Sequence, residues 1–231
     1  GKNDNVVTLS SSPVDGTGAA TELAVNVDQE SFKLTPDGAT FVFMLDTLTS
    51  GAIESLTSAQ LAQTAPTPTT IKAAGAVDLG TVTATHVVYS TSIDATTGNK
   101  TLAVIGLDGT GDTALGSQAN DDGATDDGAF ILFRDNVSAG VGDLKELDTA
   151  TGAITAIATG VDKVSIANDT TVVFVDGLKV LHEATLGADP AVKHIADDVD
   201  HFALVNDAAG GPASKVAYSR KSDGIWIATL Q

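Results

Sequence analysis

Short apolar runs that end in an aromatic residue recur along the chain and dominate its hydrophobic pattern. There are five such runs, and their final aromatics lie 46, 44, 41 and 44 residues apart. A period in the low forties is the length of one four-stranded blade of a β-propeller. We call these final residues the anchor aromatics: Phe43, Tyr89, Phe133, Phe174 and Tyr218.

The residues around each anchor aromatic predict the other strands of the repeat. An alternating strand and a turn rich in Asp or Asn precede the anchor run at residues 32–38, 164–169 and 202–207. A third alternating strand follows it at residues 102–107, 144–147, 178–181 and 225–230, and outer strands are expected at residues 153–158 and 192–196. Val-Asp pairs close the outer strands at residues 27–28, 161–162 and 199–200, and Asp-Gly pairs at residues 176–177 and 223–224 predict tight hairpins.

These repeats predict an all-β fold, a β-propeller of about five four-stranded blades. The fifth repeat stops after its third strand, and residues 22–27 form an outer strand with no blade before it, so we expect the N- and C-terminal strands to pair and close the ring. Residues 1–21 are expected to be a flexible lead-in with at most one strand, at residues 6–9, and residues 22–231 a single domain. A partial propeller or a sixth, degenerate blade is the alternative. The best helix candidate is residues 58–63, followed by Pro66 and Pro68.

The charge balance excludes several classes of function. The chain has 30 acidic residues against 12 basic ones, a net charge of -18, and no cysteine. Such a surface repels nucleic acid and anionic membranes, and the chain has no thiol for disulfides, thiolate metal sites or nucleophilic catalysis. Its apolar runs are far shorter than the roughly 20 residues that span a bilayer. Because Asp favours turns, much of the negative charge is a consequence of the repeats.

One copy of the repeat resembles a known family. Residues 35–43, TPDGATFVF, are similar to the repeat of TolB-like, WD40-like propellers, in which a Pro-Asp-Gly turn leads into an apolar strand ending in an aromatic. The resemblance implies a propeller of the bacterial cell envelope that contacts other proteins, and no catalytic residues carry over from it. We therefore expect a monomeric, non-catalytic binding or assembly scaffold, periplasmic or at the cell surface. The segment from Gly1 resembles the tether of a bacterial lipoprotein, so a lipid tether upstream of Gly1 is also an expectation.

The densest acidic segment, residues 120–128, is a candidate calcium site. Calcium takes six to eight oxygen ligands, and the candidates here are Asp121, Asp122, Asp126 and Asp127. Their spacing differs from the Asp-x-Asp-x-Asp-Gly loop with its distant Glu. A solvated loop between blades is the alternative, and no other cofactor is expected.

Residues 44–80 interrupt the repeat and are a candidate partner-binding loop. Insertions on a rigid scaffold often carry the contacts that are specific to one partner. The residues proposed for this role are Leu56, Leu61, Pro66 and Pro68, and a solvated Thr-Pro loop without function is the alternative.

Catalysis is the rival interpretation, and the sequence gives it little support. The histidines, His86, His182, His194 and His201, lack the spacing of a metal pair, and no nucleophile elbow or phosphate loop is present. A ring formed by Asp28, Asp162 and Asp200 would suit a hydrolase or lyase with its site in the channel, yet repeated Asp residues usually cap turns. A carbohydrate-binding propeller is a further alternative, although few aromatics remain for stacking on sugars.

Overall fold

The computed structural model is almost entirely built of antiparallel strands, which confirms the all-β class. It describes residues 6–12, 17, 19–46, 51–63, 65–206, 211–221 and 224–231. The chain forms two compact units, Gly1–Leu115 and Gly116–Gln231. Within the described ranges the one helix is α1 (Ser58–Leu61), and no helix there is long and apolar enough to cross a membrane.

The first unit contains a five-stranded sheet and the strands that follow it. The sheet has the order β1-β2-β3-β4-β5, and β6, β7 and β8 are neighbours in the same order as in the chain. The strands are β1 (Val6–Ser11), β2 (Thr21–Leu34), β3 (Thr40–Leu45), β4 (Ile53–Thr57), β5 (Thr69–Lys72), β6 (Asp78–Val82), β7 (His86–Ile93) and β8 (Lys100–Gly106). Strand β9 (Thr113–Ala124) begins in this unit and ends in the second.

The second unit repeats the same arrangement of consecutive antiparallel strands. From β9 to β15 each strand pairs with the next in the chain, and β16, β17 and β18 form a separate three-stranded sheet. The strands are β10 (Phe130–Ser138), β11 (Val141–Asp148), β12 (Ile154–Asn168), β13 (Thr171–Asp176), β14 (Leu181–Thr185), β15 (Val192–Ala196), β16 (Val199–Asn206), β17 (Ala213–Arg220) and β18 (Gly224–Thr229).

The anchor aromatics lie where the sequence predicts them, on the second strand of each repeat. They are carried by β3, β7, β10, β13 and β17, and all five are buried. In the second unit, Phe174 packs with Leu132 and Leu144, so one repeat covers the face of its neighbour. Tyr218 packs in the same way with Val173 and Leu181. Burial of these large side chains is the main source of stability for the stacked sheets.

The expectation of five separate, closed blades is not confirmed. The hydrogen-bonded sheets contain five, ten and three strands. Strand β2 pairs with β1 and β3, and β18 pairs with β17, so the expected pairing of terminal strands is not found among the described residues. The repeats merge because one strand often serves two of them. Strand β12, for example, joins the outer strand at residues 153–158 to the first strand of the next repeat.

A left-handed residue marks each point where the chain passes from an outer strand to the next first strand. The residue after it is a small aliphatic that is almost fully buried, so the bend turns this side chain into the core. We call the left-handed positions the crossing residues: Asn26 (φ 58°), Gly75 (φ 88°), Gln118 (φ 54°), Gly160 (φ 69°) and Asp198 (φ 55°). The buried residues that follow them are Val27, Ala76, Ala119, Val161 and Val199.

The turns before the anchor strands explain part of the Asp excess. Thr35 donates its hydroxyl to Asp37 Oδ1 (2.6 Å) and accepts from the Thr40 amide (3.0 Å). Thr125 makes the same contact with Asp127 (2.7 Å). Hydrogen bonds from the threonine hydroxyls and from nearby backbone amides lower the pKa of both carboxyl groups. These aspartates therefore stabilise turns, as expected from the sequence.

Three local predictions are changed by the structure. The third strand of the fourth repeat begins at Leu181, because residues 178–180 belong to the hairpin held by Asp176, whose Oδ1 accepts from the Leu178 and Val180 amides. The strand allowed at residues 6–9 is present as the longer β1, paired with β2. The helix expected at residues 58–63 is a single capped turn, α1, whose N-cap is Thr57. Of the two Asp-Gly hairpins, Asp223 lies outside the described residues.

Buried glutamates link successive repeats in the second unit. Glu146 on β11 is 1% exposed, and its Oε1 accepts from the Gly187 amide (2.8 Å), which follows the third strand of the next repeat. Glu183 on β14 accepts in the same way from the Gln231 amide (2.6 Å). The other oxygen of Glu146 is buried without a hydrogen-bond partner among the described residues. Burial therefore raises the pKa of Glu146, and its ionised form is costly.

The contribution of the left-handed crossing residues to stability can be tested at Gly160. A Cβ added to Gly160 would meet no atom within 4 Å, so the cost of Gly160→Ala comes from the left-handed backbone alone. We expect a loss of about 1–2 kcal/mol in the free energy of unfolding, measured by denaturant titration. Gly177→Ala is the matched control, because its Cβ would make only ordinary contacts at 3.6 Å and it has no left-handed φ. Equal losses in the two variants would contradict this explanation.

The Glu146 link predicts a pH-dependent effect of Glu146→Gln. The pKa of Glu146 is raised in the folded protein, so the free energy of unfolding of the wild type falls as the pH rises above the ordinary pKa of 4.5. The glutamine of the variant stays neutral at every pH and adds no such dependence. We expect Glu146→Gln to be more stable than wild type at about pH 7.5, with the advantage shrinking near about pH 4. Glu146→Ala removes the acceptor and should cost about 1–3 kcal/mol. Chemical denaturation at both pH values measures these differences, and a pH-independent gain for Glu146→Gln would contradict the assignment.

Candidate functional site

A buried ion pair anchors the candidate site, which lies in the second unit. The side chain of Arg134, one residue after the anchor aromatic of β10, contacts Asp122, which lies at a register shift in the neighbouring strand β9. Its Nε lies 2.9 Å from Asp122 Oδ2 and its Nη2 lies 3.0 Å from Oδ1, a two-pronged contact. The two side chains are 12% and 9% exposed. Such pairs fix geometry, and breaking one is costly because the remaining charge is left buried.

The same arginine binds the backbone close to the crossing residue Gly160 in β12. Its Nη1 donates to the backbone oxygens of Gly140 (2.9 Å) and Asp162 (2.6 Å). Asp162 follows the crossing residue Gly160 and the buried Val161, so the left-handed bend presents its carbonyl to Arg134. Burial raises the pKa of the Asp122 carboxyl, while the hydrogen bonds and charge of Arg134 act in the opposite direction. The Arg134–Asp122 pair therefore stabilises the backbone around Asp162.

That surface is a shallow cleft with charges of both signs. It is lined by Asp122, Arg134, Asp162, Lys163, Val164, Ser165 and Phe202, and we call this set the charged cleft. Lys163 is exposed, and no side-chain hydrogen bond or ion pair of this lysine is found within the described ranges. Phe202 is half-buried and supplies apolar surface beside the charges. The cleft thus offers an exposed ammonium, an adjacent carboxylate and an aromatic edge on a rigid base.

A second depression on the same unit contains another charge pair. It is lined by Lys179, Asp198, Asp200 and Lys221. Lys179 Nζ lies 2.9 Å from Asp200 Oδ1, with the lysine side chain 61% exposed. The hydrogen bond and charge of Asp200 raise the pKa of Lys179, and Lys179 in turn lowers the pKa of Asp200. Exposed pairs of this kind contribute little to stability, so these groups can exchange partners easily.

The proposed calcium ligands are not brought together into one group. Asp122 pairs with Arg134, and Asp127 Oδ1 accepts from Thr125 and from the Ala129 amide. Asp121 Oδ1 accepts from the Gly123 amide, and Asp126 is exposed in the turn. No cluster of three or more potential metal ligands occurs in the part of the chain that the structure describes. Calcium binding here stays a prediction that calorimetric titration can test.

The proposed partner-binding loop has mixed accessibility. Leu56 is fully buried on β4 and packs with Phe43, so it stabilises the first sheet. Leu61, at the end of α1, packs against the same core cluster. Pro66 and Pro68 are half-buried in the connection to β5. A contact with a partner at this loop stays a prediction, and it would fall on the prolines rather than on Leu56.

The histidines have local partners. His182 stacks on Phe174 and lies 3.3 Å from Asp176, and the neighbouring His194 lies 3.0 Å from Asp197. His86 Nδ1 is 2.8 Å from the hydroxyl of the adjacent Thr85, the closest approach of a hydroxyl to an imidazole among the described side chains. Burial lowers the pKa of His86. This Thr-His contact lies in an exposed turn, and no third group orients the ring by a hydrogen bond in the described structure.

A further polar cluster in the first unit is structural. Lys72 Nζ lies 2.8 Å from Asp112 and 4.8 Å from the centre of the Tyr89 ring, and the Tyr89 hydroxyl donates to Asp112. Burial raises the pKa of Tyr89, and the hydrogen bond that its hydroxyl donates to Asp112 adds to this effect. The hydroxyl therefore stays protonated and holds the loop before β9 to β5 and β7.

Sequence reasoning missed the charged cleft. No role was predicted for Arg134, because its partner Asp122 is 12 residues away and was assigned to a calcium site. The Val-Asp pair at residues 161–162 was a usable signal, since it marks the crossing that the arginine binds. Trp226 on β18 is 45% exposed, with the Arg220 guanidinium 5.7 Å from its ring.

Comparisons with known proteins show similarity of fold. No protein-family model matches the chain, and no curated protein matches it in sequence. A prolyl endopeptidase structure is 13% identical with a TM-score of 0.55, covering 96% of this chain and 36% of that one. Oligopeptidase B from Leishmania major is 15% identical with a TM-score of 0.54, covering 97% and 35%. TolB from Acinetobacter baumannii is 14% identical with a TM-score of 0.44, covering 96% and 57%.

The chain therefore spans a little over half of the length of that TolB and about one third of each peptidase. At these identities the similarity concerns the fold alone.

The support role of Arg134 predicts a large loss of stability when it is truncated. Arg134→Ala leaves the buried Asp122 carboxylate and two backbone oxygens without their donor, and we expect a cost of about 3–5 kcal/mol. Lys163→Ala, in the same cleft, should change stability by less than about 0.5 kcal/mol. Denaturant titration of both variants measures this contrast. Similar small effects would show that Arg134 is not the support of the cleft.

Proposed function

We propose that the protein is a non-catalytic, β-propeller-type scaffold that binds a protein partner outside the cytoplasm through the charged cleft. Two supports are independent of each other. One is the geometry of the cleft in the second unit, and the other is the resemblance of residues 35–43 to the TolB-like repeat. At 13% and 15% identity, the similarity to the two peptidases concerns the fold alone and gives no support to a peptidase activity.

The observation that carries the proposal is the exposed Lys163 beside Asp162 above a buried ion pair. Arg134, held by Asp122, fixes the backbone at Asp162, from which the half-buried Asp162 carboxylate and the exposed Lys163 side chain project. Preorganised charges lose little entropy on binding and contribute mainly to specificity and to the rate of association. A partner surface with one acidic and one basic group would match them.

The chemistry of the cleft favours a protein over other ligands. It is shallow and lined mainly by polar groups, whereas sites for small molecules are concave and mostly apolar. A polyanion such as nucleic acid would be repelled by the net charge of -18. Phe202 is the one aromatic that lines the cleft, so the stacking surface for a sugar is small.

Site-specific photocrosslinking tests this proposal. A photoreactive amino acid at Ser165, in the cleft, should capture one protein from envelope extract of the source organism, and the same group at Lys33, exposed in the first unit, should not. Lys163→Glu should lower the yield from Ser165 several-fold, and so should raising the salt concentration, because exposed charges are screened. Lys33→Glu is the control for net charge.

Two outcomes would contradict the proposal. One is equal capture from Ser165 and Lys33, which would indicate non-specific contact. The other is a yield from Ser165 that neither Lys163→Glu nor salt changes.

A further inference from the structure

Among the described residues, the last strand of the second unit, β18, has no second neighbour, whereas the third strand of every other repeat pairs with an outer strand. In the other four repeats an outer strand is the sheet neighbour of the third strand: β5 of β4, β9 of β8, β12 of β11 and β15 of β14. Within the described residues β18 pairs only with β17. Its side chains are correspondingly exposed, with Ile225 at 80% and Ile227 at 66%. One edge and one face of β18 are therefore open.

The other edge strands carry features that prevent pairing with a further strand, and β18 does not. Natural β-proteins protect edges with charged residues, prolines or bulges. Charges occur in β5, β6, β15 and β16, at Lys72, Asp78, Lys193 and Asp200, and β1 has two register shifts against β2. Strand β18, GIWIAT, has no charge and no proline, and its register with β17 is regular throughout. It is a flat, apolar edge that suits the addition of a strand.

The outer strands of the other repeats show which sequence fits beside a third strand. Each places one aliphatic side chain in the core, at Ile71, Leu115 and Ile157, with Ile195 partly buried. Polar or small residues alternate with these positions. Strands β5, β12 and β15 run antiparallel to the strands they cover. A strand added to β18 should follow the same rule, with an aliphatic residue beside Ile225, which pairs with Ser219 as Leu181 pairs with Val175.

The fourth repeat also shows a charge contact at the end of the outer strand. The carboxyl end of β15 lies at the hairpin between β13 and β14, where Leu181 is paired with Ala196. Lys179 in that hairpin binds Asp200, four residues beyond the strand. The corresponding hairpin of the last repeat begins with Arg220 and Lys221. Arg220 Nε is buried without a hydrogen-bond partner in the described structure, and its guanidinium lies 5.8 Å from the Tyr218 ring.

We propose that the free edge of β18 binds an extended segment of a partner protein as an added antiparallel strand. The segment alternates β-branched and small or polar residues, and an Asp or Glu beyond its carboxyl end pairs with Lys221 and Arg220. This surface differs from the charged cleft around Lys163, so it goes beyond the proposed function. Backbone hydrogen bonds would supply much of the affinity, and the terminal acid would fix the register.

A peptide taken from one of the chain's own outer strands is a suitable probe. A fluorescein-labelled peptide with the sequence of residues 154–162, ITAIATGVD, should bind the intact protein saturably in fluorescence anisotropy. Ile227→Lys places a charge on the edge strand and should weaken binding about tenfold or more, which corresponds to about 1.4 kcal/mol. Leu178→Lys is the control, because Leu178 is 83% exposed in a different hairpin. Circular dichroism confirms that both variants remain folded.

A charge reversal tests the orientation of the segment. Lys221→Glu should weaken binding of the peptide several-fold, and the peptide carrying Asp162→Lys should regain affinity for this variant. Absence of saturable binding, or binding that Ile227→Lys leaves unchanged, would overturn the proposal. So would a protein that sediments as a dimer and becomes a monomer on Ile227→Lys, because a second copy would then occupy the edge.

Discussion

The left-handed bend at each crossing residue is the constraint on which the rest of the structure depends. A continuous strand would keep its side chains on fixed alternate faces, whereas a residue with positive φ redirects the backbone within one position. At Gly160 this bend buries Val161 and turns the Asp162 carbonyl to Arg134. The same local geometry therefore joins successive repeats and fixes the base of the charged cleft.

Much of the charge of the protein is part of this architecture. Asp37 and Asp127 complete turns with threonine hydroxyls, Asp176 holds a hairpin, and Glu146 and Glu183 accept backbone amides of the following repeat. Carboxylates are strong acceptors for backbone N–H groups that a tight turn leaves unpaired. The net charge of -18 disfavours the binding of polyanions.

The sequence predicted the features that repeat and missed those that join distant residues. The anchor aromatics were found because a large apolar side chain at a fixed period has few explanations other than a repeated core position. The merging of outer and first strands could not be foreseen, since the left-handed positions are occupied by Asn, Gln, Gly and Asp without a common residue. The Arg134–Asp122 pair and the Glu146–Gly187 contact join residues 12 and 41 positions apart, and no local pattern specifies them.

Within the described residues, the edge of β18 that faces away from β17 has no partner strand, and it is the proposed site of strand addition. Hydrogen–deuterium exchange of the intact protein tests this claim most directly. Strands β14 and β18 are both the third strand of their repeat. Strand β14 pairs with β13 and β15, whereas β18 pairs with β17 alone among the described residues. We predict that about half of the β18 amides, those facing away from β17, exchange rapidly, while the amides of β14 are protected on both edges. Equal protection of the two strands would show that the edge is already covered and would contradict the account.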